Sequence, residues 1–560
     1  MAPTHTRIRR AFVTIDDRQV HYRHAGEGPV VIVIGQSPTS ARMLDKQTAA
    51  FAEAGFTAIA LDAPGLGRST PHNTPRPDVS DQAIGLARML DALGVDKVGL
   101  YGSHSGASIA LEFSRLYPDR SAIALMDGLP IYNDLERNLR LSTYFPEYET
   151  TWDGLHLMWL WYRYREQNVF WPWNIRGRGA RGPVDIPSPR KLHDGVVDIL
   201  EVGNGYIPPY AAVFRYRAED AIPHLSTPAH FLAYPDDSLL PALRHLPNLP
   251  DCCHLTEMPL DKTKGIEKEI ELLRSVPAWG ASGIRHGAAP RRNGSALDYV
   301  DVAGGQLAVA RWGIGKGRPL VILPPAPGSV TQLGTLPEYL GEEREAIAID
   351  LPGCGDSDVL EGTPVTVEAF AEQVATALDQ LAEGPVDIYA RDGAAAVALD
   401  LRRQAPDRVR RLLIDNVPAV APTERDEIAE AYAEPITLDW DGAHLVRLWH
   451  ATRDKELYWP WYNRTIDGVR YENDPQIDPH QLTVEVNAYL KNFESYAPTW
   501  KAILQYPVYE ALAEPSDDIV VCADEDGRYA HLARAVAGDR FRDMPLGVLA
   551  RSGKILKLLD

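Results

Sequence analysis

At 560 residues the chain has the length for two large domains, or for three to four of the usual ~100–200 residues. Its composition, 45% hydrophobic and 24% charged, is that of a chain able to bury real cores, which excludes disorder as its main state. A formal net charge of −20 repels phosphate backbones and anionic lipid, so neither nucleic acid nor a membrane surface is expected as a partner.

In chain order, residues 1–10 are basic but lead into no apolar segment, and no run approaches the ~18 apolar residues of a membrane span. Short β-rich runs then alternate with helical ones, with strands at 30–34, 57–61, 98–101 and 123–126 and helices at 82–93 and 107–116. That alternation predicts an α/β fold, a mostly parallel sheet flanked by helices. After Pro130 the pattern turns helical and aromatic-rich to about residue 221, and strand character resumes at 229–233. A helical lid over the carboxyl ends of the strands, inserted after the sixth strand, is the expected result. A stretch rich in Gly, Ala, Ser and Arg follows, without hydrophobic periodicity, and residues 281–296 read as a linker. The four cysteines, Cys252, Cys253, Cys354 and Cys522, have neither the number nor the spacing of a disulfide framework or a zinc site. A cytoplasmic protein without metal or cofactor is expected.

The chain then repeats itself. LDAPGLGRS at 61–69 returns as IDLPGCGDS at 349–357, and the tryptophan-rich segment 152–173 returns at 440–461, both at an offset of 288 residues. Two tandem domains are therefore predicted, 1–280 and 297–560, with lids at about 131–221 and 423–512.

Four stretches in each copy resemble the α/β-hydrolase superfamily. They are the Asp-x-Pro-Gly-x-Gly-x-Ser loop, the strand–turn–helix YGSHSGASIALEFSRLYPDR (101–120) or YARDGAAAVALDLRRQAPDR (389–408), the lid, and the strand followed by DDSLLP or DEDG. The resemblance implies two α/β-hydrolase domains, each with a sharp elbow after the fifth strand that presents a nucleophile between small residues. The family's spacing from nucleophile to the proline of the PDR segment puts His104 and Asp392 at the two elbows. A slip of one residue would put Ser105 there and break the repeat register. The family's acid positions hold Asp237 or Asp526 after the seventh strand, and Asp127 or Asp415 after the sixth. The segments 258–269 and 544–554, where the catalytic histidine belongs, contain none, and His254 falls too early. At the oxyanion turn the first copy has Gln36 and Ser37; the second has Pro324, Pro325, Ala326 and Pro327, and proline lacks an N–H.

Neither copy has an ordinary serine triad. In the first, His104 is expected to act as general base, oriented by Asp127 or Asp237, with Gln36, Ser37 and the Ser105 N–H as oxyanion donors. An elbow aspartate resembles that of epoxide hydrolases and haloalkane dehalogenases, but an alkyl-enzyme on Asp392 would stall without a histidine to activate water. The second copy is therefore expected to be degenerate. His156, Trp161, Arg165, Trp171 and Trp173 of the first lid are candidate substrate contacts, and the same residues at helical spacing serve equally as lid core. The reading is a cofactor-free enzyme acting by acid/base chemistry on a hydrophobic or aromatic carbonyl compound, through hydrolysis of an ester, lactone or C–C bond. A lyase or isomerase on the same fold, a non-catalytic binding pseudoenzyme, and a homodimer stay open.

Overall fold

The computed structural model describes residues 7–560 except 183, 245, 247–248, 281–282, 288 and 471–473. Parts of the basic N-terminal segment and of the expected linker thus lie outside the described residues. The chain forms two compact units, Met1–Glu149 with Trp159–Ala289, and Thr150–Met158 with Pro290–Asp560.

The first unit contains strands β1 (Arg9–Ile15), β2 (Arg18–Ala25), β3 (Val30–Ile34), β4 (Thr57–Leu61), β5 (Val98–Ser103), β6 (Ser121–Asp127), β7 (Ala229–Ala233) and β8 (Cys253–Glu257). They form one sheet in the order β1-β2-β4-β3-β5-β6-β7-β8. Only the pairs β1–β2 and β2–β4 are antiparallel; β4 through β8 run parallel. The second unit repeats this with β9 (Ala296–Val302), β10 (Gly305–Trp312), β11 (Leu320–Leu323), β12 (Ala346–Ile349), β13 (Val386–Arg391), β14 (Val409–Asp415), β15 (Ile519–Ala523) and β16 (Arg542–Asp543). Its order, β9-β10-β12-β11-β13-β14-β15-β16, is the same one.

The central strands read as unbroken apolar runs because helices cover both faces of the sheet. In β3, Val30, Ile32 and Ile34 enter one core with Leu100, Met126 and Phe231, while Val31 and Val33 enter the opposite core with Tyr101, Leu125 and Leu232. The helices expected at 82–93 and 107–116 are Val79–Leu93 and Ser105–Leu116. The first is longer because an Asp78/Asp81 capping box starts it, and Gly94, at φ +74°, ends it.

A helical insertion separates β6 from β7, with helices Asp134–Thr143, Leu155–Gln167, Pro189–Val202 and Ile207–Arg215. Part of it departs from the sequence expectation, since Thr150–Met158 groups with the second unit. There His156 Nε2 lies 3.0 Å from Thr483 Oγ1, and its ring meets Trp449 edge-on at 5.1 Å. The segment read as linker also begins as part of the first unit. The Arg285 N–H donates to the Leu93 carbonyl at 3.0 Å, and the Tyr22 hydroxyl sits 2.9 Å from His286 Nδ1.

The Asp-x-Pro-Gly-x-Gly-x-Ser loops are structural clamps. Asp62 accepts from the N–H groups of Ala41 (2.6 Å) and Arg68 (2.8 Å) and pairs with His21 at 2.7 Å. Asp350 accepts from the N–H groups of Val330 (2.8 Å) and Asp356 (3.0 Å). Among the described residues no helix is long and apolar enough to cross a membrane, and no cluster of three or more His, Cys, Asp or Glu could hold a metal ion.

Candidate active site

Strand β5 runs into the helix Ser105–Leu116 through a single left-handed residue, His104, at φ +50°. The equivalent residue in the second unit is Asp392, at φ +52°. Few side chains adopt this conformation, and it lifts the residue clear of both flanking elements. The small frame around it is a packing requirement. A Cβ on Gly102 would lie 2.3 Å from the Gly106 carbonyl oxygen, and one on Gly106 would lie 2.2 Å from that of Ile34. Each elbow is tied to the next strand, with the His104 N–H donating to the Asp127 carbonyl (2.7 Å) and the Asp392 N–H to that of Asp415 (3.0 Å). Ser105 is the first residue of the helix and is buried. Its Oγ accepts from the Ser37 N–H at 2.6 Å and donates to Ser37 Oγ at 3.1 Å. The Ser37 N–H, expected as an oxyanion donor, is thereby already engaged.

His104 is 36% exposed and faces a cavity of about 440 Å³. Its Nε2 lies 3.3 Å from Asp237 Oδ2, while Asp237 Oδ1 accepts from the Leu239 N–H at 2.8 Å. Burial works against the imidazolium, but the charge and hydrogen bond of Asp237, helped by Asp127, outweigh it and hold His104 above the usual histidine range. Burial likewise works to raise Asp237, and His104 with the Leu239 N–H holds it below the usual carboxylate range. Asp127 accepts from the Tyr101 hydroxyl at 3.0 Å. Burial, reinforced by Asp237 and opposed by His104, pushes it up to about 6. Sequence reading missed Glu269, which is buried behind this group and accepts from the Tyr234 hydroxyl at 3.0 Å. Burial and the nearby Asp127 push it up to about 8.

One part of the cavity wall is aromatic and aliphatic, built by Tyr132, Phe170, Trp171, Tyr210, Val213 and Phe214; Asp185, Lys191, Asp236 and Lys262 add charge, and Gln36 and Ser37 reach it at the oxyanion turn. Of the expected insertion contacts, Trp171 lines it. Among the described residues, His156, Trp161, Arg165 and Trp173 do not. Trp161 is fully buried in the core, and Trp173 donates to the Tyr144 carbonyl at 3.1 Å beneath the Arg163 guanidinium. Arg165 pairs with Glu166 at 2.6 Å, and His156 belongs to the second unit. Helical spacing identified the aromatic set but not which side of each helix meets the cavity.

The second unit keeps the elbow and changes its surroundings. Asp392 accepts from Asn416 Nδ2 at 2.6 Å, and burial pushes it up to about 6 against the pull of Arg391 and Arg528. A cavity of about 360 Å³ adjoins it, with charged walls from Arg391, Glu456, Glu485, Asp524, Asp526 and Arg528. Asp526 accepts from the Asp474 N–H at 2.9 Å. Counted from the ends of β7 and β15, the counterpart of Asp237 is Gly527 rather than Asp526. The exchange is reciprocal, because Asn416 corresponds to Gly128. A Cβ on Gly128 would meet Asp237 Oδ2 at 2.4 Å and His104 Cδ2 at 2.6 Å, whereas one on Gly527 would meet Asn416 Oδ1 at 2.6 Å. Where one copy has room for a histidine–carboxylate pair, the other fills that room with an amide.

Asp415, the counterpart of Asp127, is neutralised in a way the sequence does not advertise. Arg551 on the last helix, Val548–Leu559, reaches it at 2.5 Å and also holds Asp524 at 2.9 Å. Burial works to raise Asp415, and Arg551 holds it below the usual range. Removing one partner of a buried ion pair strands the other, at ~3–5 kcal/mol. Arg551→Met is therefore expected to lower the midpoint of denaturant unfolding by a corresponding amount. An unchanged midpoint would show that the pair contributes nothing.

The family model for the alpha/beta hydrolase fold matches residues 29–164. Zearalenone hydrolase of Cladophialophora bantiana is 30% identical over 137 residues, 24% of this chain and 51% of that protein. The 2-hydroxy-6-oxo-6-phenylhexa-2,4-dienoate hydrolase of Burkholderia cepacia is 32% identical over 131 residues, 21% of this chain and 44% of that protein. The chain thus spans about half the length of the curated relatives it matches. Among solved structures, epoxide hydrolase A from Mycobacterium thermoresistibile aligns at 18% identity with a TM-score of 0.39, over 49% of this chain and 100% of its own. With the family match in the first copy and the same strand order in both, the chain carries the α/β-hydrolase fold twice.

Proposed function

We propose that the first unit is a cofactor-free hydrolase that cleaves an ester, lactone or C–C bond beside the carbonyl of a hydrophobic, aromatic small molecule, with His104 as general base. The observation that carries this reading is the pairing of His104 with Asp237 at the positive-φ elbow, facing an aromatic cavity. A neutral imidazole takes a proton from water as the water attacks the carbonyl carbon. Asp237 stabilises the imidazolium that forms, and the proton then passes to the leaving group. Ser105, buried and bonded to Ser37, is poorly placed to form an acyl-enzyme, which favours attack by water. The matched relatives named as lactone and dienoate hydrolases support the substrate class. The second unit, with an amide where a histidine–carboxylate pair would stand, serves as a structural partner without turnover.

The test is the pH profile of kcat/KM on a panel of aromatic esters, lactones and vinylogous 1,5-diketones, for wild type and Asp237→Asn. A base must be neutral to act, so activity rises with pH through the His104 pKa. Asp237 stabilises the charged imidazole; without it burial dominates, and that limb moves to lower pH. A limb that stays in place in Asp237→Asn, or a panel with no turnover at all, rejects the proposal. The same pair gives stability a pH window. The His104 contribution is present below ~6.5 and lost as pH rises through its raised folded value. That of Asp237 is present above ~3.9 and lost as pH falls through its lowered value.

A further inference from the structure

The aromatic wall of the first cavity carries a polar atom that no described residue satisfies. Tyr132 is 4% exposed and lines the cavity beside Trp171 and Phe214. Among the described residues its hydroxyl has no hydrogen-bond partner. Burial holds the group far above the usual tyrosine range, so it stays a neutral phenol and can donate. Buried hydroxyls in folded proteins are almost always bonded, and an unbonded one in a cavity wall is a place for a ligand atom.

A second, independent feature gives the sign of that atom. The Arg140 guanidinium lies 4.4 Å from the centroid of the Tyr132 ring and 5.5 Å from that of Trp171. Arg140 is 7% exposed, and among the described residues its Nε has no partner and no carboxylate pairs with it. Elsewhere in the protein a comparably buried arginine, Arg551, is matched by two carboxylates. A cation behind the face of Tyr132 makes its hydroxyl a better donor and favours negative charge at the oxygen that receives the bond. Of the carboxylates lining the same cavity, Asp237 is already committed to His104 and the Leu239 N–H, Asp127 accepts from the Tyr101 hydroxyl, and Asp236 pairs with Lys262 at 3.1 Å.

We infer that Tyr132, backed by Arg140, forms a subsite in the first cavity for an anionic oxygen on an aromatic ligand, a carboxylate or phenolate that accepts the tyrosine hydroxyl hydrogen. The rings of Trp171 and Phe214 pack the aromatic body beside it. The inference rests on reading this cavity as the substrate site, and it defines the substrate further as an aromatic carbonyl compound that carries an acidic group.

Calorimetric binding of 2-naphthoate, compared with 2-naphthylmethylammonium, tests it without requiring turnover. The two probes share their ring system and differ in the sign of the charge. Wild type is expected to bind the carboxylate and to reject the cation. Tyr132→Phe removes one atom from a rotamer that packing already holds, and is expected to weaken naphthoate ~10- to 100-fold. Arg140→Lys, which keeps the charge, is expected to retain more of the binding than Arg140→Met. Equal binding of naphthoate by wild type and Tyr132→Phe, preference for the cation, or no binding of either probe overturns the subsite. Turnover by the wild-type protein separates this from the hydrolase reading. Naphthoate binding dependent on Tyr132 in a wild-type protein that turns over none of the panel upholds the subsite and rejects the hydrolase; turnover indifferent to Tyr132→Phe does the reverse.

Discussion

His104→Ala is expected to lower kcat/KM on aromatic esters and lactones by ~10²–10⁴, the range for loss of a positioned general base. Asp392→Ala, at the same point of the second copy, is expected to leave it unchanged. The contrast follows from what surrounds two backbones of the same shape. Both residues sit at φ near +50° between a central strand and its following helix. His104, however, has a carboxylate at 3.3 Å to hold and charge-balance its ring, whereas Asp392 has the Asn416 amide at 2.6 Å and no described imidazole beside it. Side-by-side assays of the two variants decide the matter. Loss in Asp392→Ala alone would move the chemistry to the second unit, and activity surviving in His104→Ala would remove the histidine from it.

Gly128→Ala is expected to cost ~10²-fold in kcat with the fold preserved. Gly128, at φ +61°, follows β6 and lies under the His104–Asp237 pair. An added methyl group would come within 2.4 Å of the Asp237 oxygen and 2.6 Å of the imidazole, so one of the two must move by most of an ångström. Displacement of a catalytic group on that scale is worth about two orders of magnitude. The left-handed backbone adds ~1–2 kcal/mol of destabilisation for a residue with a Cβ. Asn416→Gly, the reverse change in the second copy, serves as the control and is expected to leave activity unaltered. Full activity in Gly128→Ala would show that the pair does not need its present geometry, and would undercut the general-base assignment itself.

Much of this protein is legible in order along the chain. The 288-residue offset, the alternation of strand and helix and the glycine frames of the elbow are local patterns, because strand pleating, helix periodicity and tight turns impose periods of a few residues on the sequence. They suffice for two copies of one α/β fold and for locating the equivalent turns at His104 and Asp392. What sequence alone left undecided depends on residues that meet only after folding. Asp526 looks like the partner of Asp237 in a linear comparison, yet strand ends make Gly527 the counterpart, since the preceding segments differ in length by two residues. Trp161, Arg165 and Trp173 share the insertion's helical spacing with Trp171, but only packing selects which ring reaches the cavity.

The sequence by itself thus determined the duplication, the fold class and the left-handed elbows, all consequences of short-range backbone geometry. The tertiary structure alone decided that Gly128 and Asn416 trade places with Asp237 and Gly527, and that Arg551 neutralises Asp415. It also decided that Glu269 lies behind Asp127 and that the Tyr132 hydroxyl has no hydrogen-bond partner among the described residues. The glycine exchange, the Arg551–Asp415 pair and the placing of Glu269 bring together residues far apart in the chain, and their energies come from exclusion of water and Coulomb interaction at close range, which no linear pattern encodes.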